Sequence, residues 1–249
     1  MSKPTLIALD TETGGLDQRA NPLLSIAIVV ADETYNKIDG FEIKVAPPRN
    51  AFLEVATPST RGLENKRKTL LHFQNVWTKE TTMALPEGAM LITAYAAEVN
   101  GYIGEDDIHW DFAAVDKWNA SSQDLPAAET DLLAYLTKGF GESHVVTVAH
   151  NAIFDQKFVE SNMPRLYNKL KQPWFCTLEK SREFNKKRGV KGGGKLTEMA
   201  KLAGFDYDGH AHEAFADGEA TLAVLRFLQQ QAQPKQLPPP PPPPQQLPA

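Results

Sequence analysis

The sequence predicts a mixed α/β domain. Three extended segments fall within the first 45 residues, a short and mostly apolar run occupies residues 145–149, and helical periodicity dominates from there to Leu228. Strands grouped early with helices interleaved later are the pattern of a sheet flanked by helices. A chain of 249 residues, 42% hydrophobic, can bury one substantial core, so a single elaborated domain is expected rather than two.

Residues 5–10 read as a strand, residues 23–31 as a second and more buried one, and residues 41–45 as a third after a turn at Asp39–Gly40. From 47 to about 88 the pattern is irregular, partly basic and rich in Thr, Pro and Glu; it reads as an insertion. Helical pattern resumes around 93–99 and 127–136. The run 145–149 reads as a buried strand, followed by helices from about 152, 177 and 196 and a last one over 213–228. The domain is therefore expected over 1–228, with its insertion at about 47–88. Residues 229–249 form a Gln/Pro-rich tail expected to be disordered, with seven consecutive prolines from Pro238 to Pro244. Such a run extends as polyproline II and cannot join a packed core. It can serve as a ligand for a polyproline-binding partner. The spacer reading is preferred, because Lys235 is the sole flanking basic residue.

Composition excludes several classes. No apolar run approaches transmembrane length and none follows the first three residues as a signal peptide requires, so no membrane partner is expected. Cys176 is the single cysteine; with no intrachain disulfide available, a reducing cytoplasmic setting is expected. A net charge of −5 argues against bulk electrostatic binding to nucleic acid, yet the charge is segregated. Arg61, Lys66, Arg67 and Lys68 form one basic cluster, and Lys180, Arg182, Lys186, Lys187, Arg188, Lys191 and Lys195 a larger one. The acidic stretch 98–116 reads as solvated surface.

Carboxylates stand where burial is expected. Asp10 and Glu12, two apart near the end of the first strand, project to one side of it together. Asp155 follows a buried strand by one helical turn and shares a face with Phe158 and Val159. Asp217 shares a face with Ala220, Thr221, Val224 and Leu228. A buried carboxylate needs a partner, and clustered carboxylates repel unless cations neutralise them. If the fold brings the four together, oxygen-only ligation suits Mg²⁺ or Mn²⁺.

Other features are weaker. The segment from Gly189 to Lys195 nearly spells a phosphate-binding loop, but Leu196 stands where Ser or Thr would ligate magnesium and no strand precedes it. A basic loop able to steer a phosphate backbone is the better reading. His210 and His212 with Asp206 and Asp208 lack a third soft ligand for zinc. His150 reads as a support for the second acidic motif. Phe205, Tyr207, Trp77, Trp110, Trp118 and Trp174 read as packing residues.

The segments DTETGGL, HNAIFD and HAHEAFAD, in this order, resemble the three motifs of the DEDDh 3′–5′ exonuclease family, and ITAYAAEVNGY resembles its connecting helix. The resemblance implies a ribonuclease H-like mixed five-stranded sheet flanked by helices. Asp10, Glu12, Asp155 and Asp217 match the metal-binding acids, for two ions, Mg²⁺ or Mn²⁺, that clamp the scissile phosphate. His212, in the His-x-x-x-x-Asp spacing, matches the general base. Thr11 and Thr13 match contacts to the terminal nucleotide, Leu16 the apolar wedge against the terminal bases, and Asn151 and Phe154 the supports of the second motif. Relatives often carry a glutamate close to the place of Ser25, and the 143 positions from Glu12 to Asp155 exceed what a compact relative needs; the insertion accounts for much of the excess. The implied activity is metal-dependent removal of nucleoside 5′-monophosphates from 3′ ends of single-stranded DNA or RNA. Its alternatives are an RNA-specific trimming enzyme and a non-catalytic end-binding module recruited through the proline tail.

Overall fold

The computed structural model describes residues 5–55, 72–99, 112–140, 145–170, 173–208 and 212–232. The proline run, the cluster Arg61–Lys66–Arg67–Lys68, Trp110, His210 and most of the acidic stretch lie outside the described residues.

The main sheet has five strands in the order β3-β2-β1-β8-β9: Lys37–Lys44, Leu23–Ala31, Thr5–Thr13, Val145–Ala149 and Phe175–Cys176. β1 pairs antiparallel with β2, and β2 with β3; β1 pairs parallel with β8, and β8 with β9. This is the mixed five-stranded sheet expected, in a ribonuclease H-like arrangement. β2 is buried along its whole length, because both faces of the sheet are covered. On one face, Ile7, Leu9, Ile26 and Ile28 pack with Leu132 of α3 (Leu125–Phe140), Phe158 of α4 (Ala152–Asn162) and Leu166 of α5 (Pro164–Leu170). On the other, Ala8, Val29 and Ala31 meet Leu222 of the last helix, α8 (Ala214–Ala232).

α8 lies unusually close to the sheet at one point. A Cβ on Gly218 would stand 2.8 Å from the Val29 side chain, so only glycine allows this approach. Its first turn thereby settles against β1 and β2. The helix also runs four residues past Leu228, the point where the composition changes.

The described part of the insertion is not irregular, as the sequence suggested. Four strands build a second sheet in the order β6-β5-β4-β7: Thr81–Thr82, His72–Asn75, Ala51–Val55 and Met90–Ile92. Leu53, Val76 and Ile92 form its small core with Leu24, Ala96 and Ala97, and α1 (Ala94–Val99) and α2 (Phe112–Ser121) complete the layer. Trp77 and Trp118 pack beside this core, and Trp174 is buried in the main one. Among the described residues no helix is long and apolar enough to cross a membrane.

Buried Glu129 of α3 ties α5 in place. Its Oε1 accepts from the backbone N–H groups of Arg165 and Leu166 at 2.7 and 3.1 Å, and its Oε2 from Arg165 Nε at 2.8 Å. Glu129→Ala is expected to lower stability by about 2 kcal/mol, read as a lower urea midpoint with an unchanged slope, because two donors at the start of α5 lose their acceptor.

Candidate active site

The four acids come from three elements. β1 runs past the end of its pairing with β8 at Ala8, so its last residues are free on that edge. Asp10 and Glu12 lie within the strand, not after it, and share the face covered by α8. Opposite them, the first turn of α8 presents Asp217. One carboxylate oxygen from each of Asp10, Glu12 and Asp217 lies within 4.8 Å of the other two.

Asp155 arrives from the first turn of α4 beside the free edge of β1. Its Oδ1 accepts from the Thr11 backbone N–H at 3.1 Å and from the Thr11 hydroxyl at 2.8 Å. Thr11 is itself buried, so its hydroxyl holds Asp155 rather than facing solvent, where the sequence reading placed it against a nucleotide. Among the described residues, Asp155 Oδ2 and Asp217 Oδ1 are buried without a hydrogen-bond donor. Oxygens left this way point to a ligand that replaces the missing donors.

The electrostatics agree. Burial first, then Asp155, Asp217 and Glu12, holds the Asp10 carboxyl well above the ordinary carboxylate range. Burial, then Asp217 and Asp155, pushes Glu12 up to about 9. Burial pushes Asp155 up to about 7 against the lowering effect of Thr11. Burial also raises Asp217, opposed by the Tyr207 phenol and by His212. Four acids that resist ionising together are a site that wants positive charge. Oxygen donors in such number suit a divalent cation.

The remaining residues surround this cluster. His212 is exposed, has φ 68°, and stands just ahead of α8, its imidazole acting on Asp217. Leu16 is 86% exposed on the loop after β1. Thr13 Oγ1 donates to the Gly15 carbonyl at 2.7 Å and stitches that loop. The second sheet braces it further: Thr93 N–H donates to Gly14 O, Asn21 Nδ2 to Leu91 O, and Glu54 Oε2 accepts from the Ala94 N–H at the start of α1. Asn151, with φ 70°, supplies the left-handed link between β8 and α4 but no side-chain cap. Phe154 turns inward onto Phe158, their centroids 5.0 Å apart. The acid cluster is the metal-competent group among the described residues.

Two contributors escaped the sequence reading. Glu42 of β3 lies in one row with Ala27 and Asp10, and burial raises its carboxyl too. Tyr207, which packs edge-on against Phe205, also presents its phenol to Asp217. Only strand register and a turn between helices place these two, so spacing in the chain gave no signal.

The site thus sits on a mixed sheet, with acids on its central strand and on the helices that follow. Residues 118–225 match the family model described as Exonuclease (RNase_T). The matched span contains Asp155, His212 and Asp217; Asp10 and Glu12 precede it. No curated protein matches the chain by sequence. Among solved structures, exonuclease I is similar at 15% identity and a TM-score of 0.59 over 92% of this chain and 41% of that one. The exonuclease I of Methylocaldum szegediense is similar at 17% identity and 0.57, over 94% and 42%. A zinc-bound complex of E. coli exonuclease I with single-stranded DNA is similar at 13% identity and 0.58, over 93% and 41%. The chain thus spans about two fifths of the length of these solved relatives.

Proposed function

We propose that this protein is a metal-dependent 3′–5′ exonuclease that hydrolyses the terminal phosphodiester bond of single-stranded nucleic acid and releases nucleoside 5′-monophosphates. The observation that carries this reading is the grouping of Asp10, Glu12 and Asp217 within 4.8 Å of one another, with Asp155 acting electrostatically on the same acids and with buried oxygens of Asp155 and Asp217 lacking donors. Asp10, Glu12, Asp155 and Asp217 would hold two divalent cations, Mg²⁺ or Mn²⁺. Such ions, when bound, neutralise the scissile phosphate and favour both the attacking and the leaving oxygen.

The chain's own groups supply the rest. His212, exposed beside Asp217, takes the proton of the attacking water at its unprotonated ring nitrogen. The water oxygen bonds to phosphorus as the bond to the 3′ oxygen of the penultimate nucleotide breaks, and that oxygen leaves with a proton from solvent. Leu16, projecting from a loop fixed by Thr13 and Thr93, would meet the terminal base. Asn151 and Phe154 would hold the turn that aims Asp155.

DNA is the first substrate to test, since E. coli exonuclease I has been solved with single-stranded oligonucleotides. With 5′-labelled DNA and RNA strands, a ladder shortened from the 3′ end, seen with Mg²⁺ or Mn²⁺ and abolished by chelator, is the expected result. Internal cuts, or no cleavage of either sugar with any divalent metal, would refute the proposal. His212→Asn keeps a residue tolerant of the left-handed backbone and removes the base. It is expected to lower kcat about 10²–10⁴-fold with KM little changed; a loss confined to KM would assign His212 to binding instead.

A further inference from the structure

Residues 180–195 hold seven Lys and Arg against one acid, Glu183, in a chain whose net charge is −5. All seven cations are exposed. Lys180 is paired with Glu183 at 3.0 Å and Arg188 lies over the Phe184 ring, whereas Arg182, Lys191 and Lys195 have no ion-pair partner among the described residues. Lys191 and Lys195 bracket three glycines with φ 69°, 79° and 100°, a conformation side chains rarely adopt. The loop follows α6 (Thr177–Lys187), so the near-match to a nucleotide-binding loop lacks the preceding strand that such a loop needs.

This loop is fastened to the segment that carries Asp155. Buried Gly194 accepts at its carbonyl from His150 Nε2 at 2.7 Å, and the other ring nitrogen, Nδ1, meets the Thr177 hydroxyl at 2.9 Å. Burial pushes the His150 imidazole down to about 4, so the neutral ring that makes this bridge persists at physiological pH. His150 follows β8, Asn151 turns the chain, and Asp155 lies in the first turn of α4. One short segment therefore carries an acid of the site and anchors the loop that holds Lys191 and Lys195. The Glu198 carboxylate lies 3.3 Å from where a Cβ on Gly193 would stand.

We infer that the loop 189–195, with Arg182, grips the backbone phosphates of the strand on the 5′ side of its terminal nucleotide. The inference rests on the exonuclease reading and adds the path by which the strand reaches the site. The acids engage the scissile phosphate alone, so neighbouring phosphates need cations elsewhere, and this loop offers them, tied through His150 to the segment that carries Asp155.

The test compares the full chain with its Lys191→Gln/Lys195→Gln variant on two substrates. One is a 5′-labelled oligothymidylate; the other is the p-nitrophenyl ester of thymidine 5′-monophosphate, which has no neighbouring phosphate. For the oligomer, the slope of log(kcat/KM) against log salt is expected to become shallower by about 1.4, at ~0.7 per lost phosphate contact. The ester rate is expected to change by less than about twofold, since exposed substitutions seldom disturb the fold. A wild type active on both substrates with an unchanged slope in the variant, or an equal loss on ester and oligomer, overturns the inference alone. A wild type inert toward both overturns the exonuclease reading and the inference with it.

Discussion

Asp155→Asn is expected to lower kcat for 3′-end trimming by about three orders of magnitude while leaving the metal-free protein at least as stable as the parent. The two effects have one origin. The amide oxygen still accepts from Thr11, so the turn that aims residue 155 keeps its hydrogen bonds. The Oδ2 position, buried and without a donor, becomes an NH₂ group that cannot ligate a cation. A single lost stabilising group in a preorganised site costs about 10²–10³ in rate, and loss of a ligand shared by the whole cluster belongs at or beyond the upper end. Without metal, the same change removes one of four mutually repelling acids, so folding loses a penalty rather than a contact. Trimming at more than a tenth of the parental rate, or a marked fall in the melting temperature of the metal-free variant, would contradict this assignment.

Saturating Mg²⁺ or Mn²⁺ is expected to raise the melting temperature and to flatten its dependence on pH. At a metal concentration a hundredfold above Kd, one site adds about 2.7 kcal/mol, which for a domain of this size corresponds to roughly 5–10 °C. The pH arm follows from the acids. Glu12 and Asp155 have folded-state values near 9 and 7, above the ~4 of unfolded carboxylates, so the folded state binds more protons than the unfolded one. A raised value adds stability that is fully present below the unfolded pKa and is lost as pH rises through the folded one. In chelator, the melting temperature should therefore fall between about pH 5 and pH 9. Bound cations keep the acids ionised and remove most of this slope. Melting curves indifferent to metal, or a metal-free protein that grows more stable over the same interval, would contradict the cluster as a cation site.

The acids were legible because each broke a pattern that is otherwise strongly determined. Asp217 interrupts a stripe continued by Ala220, Thr221 and Val224, all buried in α8, and Asp10 with Glu12 interrupts a strand whose neighbour is buried throughout. The strands at 23–31 and 145–149 were equally clear, being continuous apolar runs between turns. The second sheet was not. Its strands are two to five residues long, and their partners lie up to about forty positions away, so periodicity within a short window carries little signal. Pro164 begins α5, where its missing N–H costs nothing. The motif around Thr11 gives no sign that its hydroxyl bonds to Asp155, 144 positions away.

Gly218 gives one more consequence. A glycine inside an exposed helix is a weakness worth about 1 kcal/mol, and replacing it with alanine is a standard route to a sturdier protein. Here the absent methyl sets the gap between helix and sheet, and the neighbouring residue is Asp217. The width of the cation pocket is thus written in a missing carbon atom on the helix rather than in the acids themselves. Any programme that hardens this protein by filling its helices would, at this one position, widen the pocket it meant to preserve.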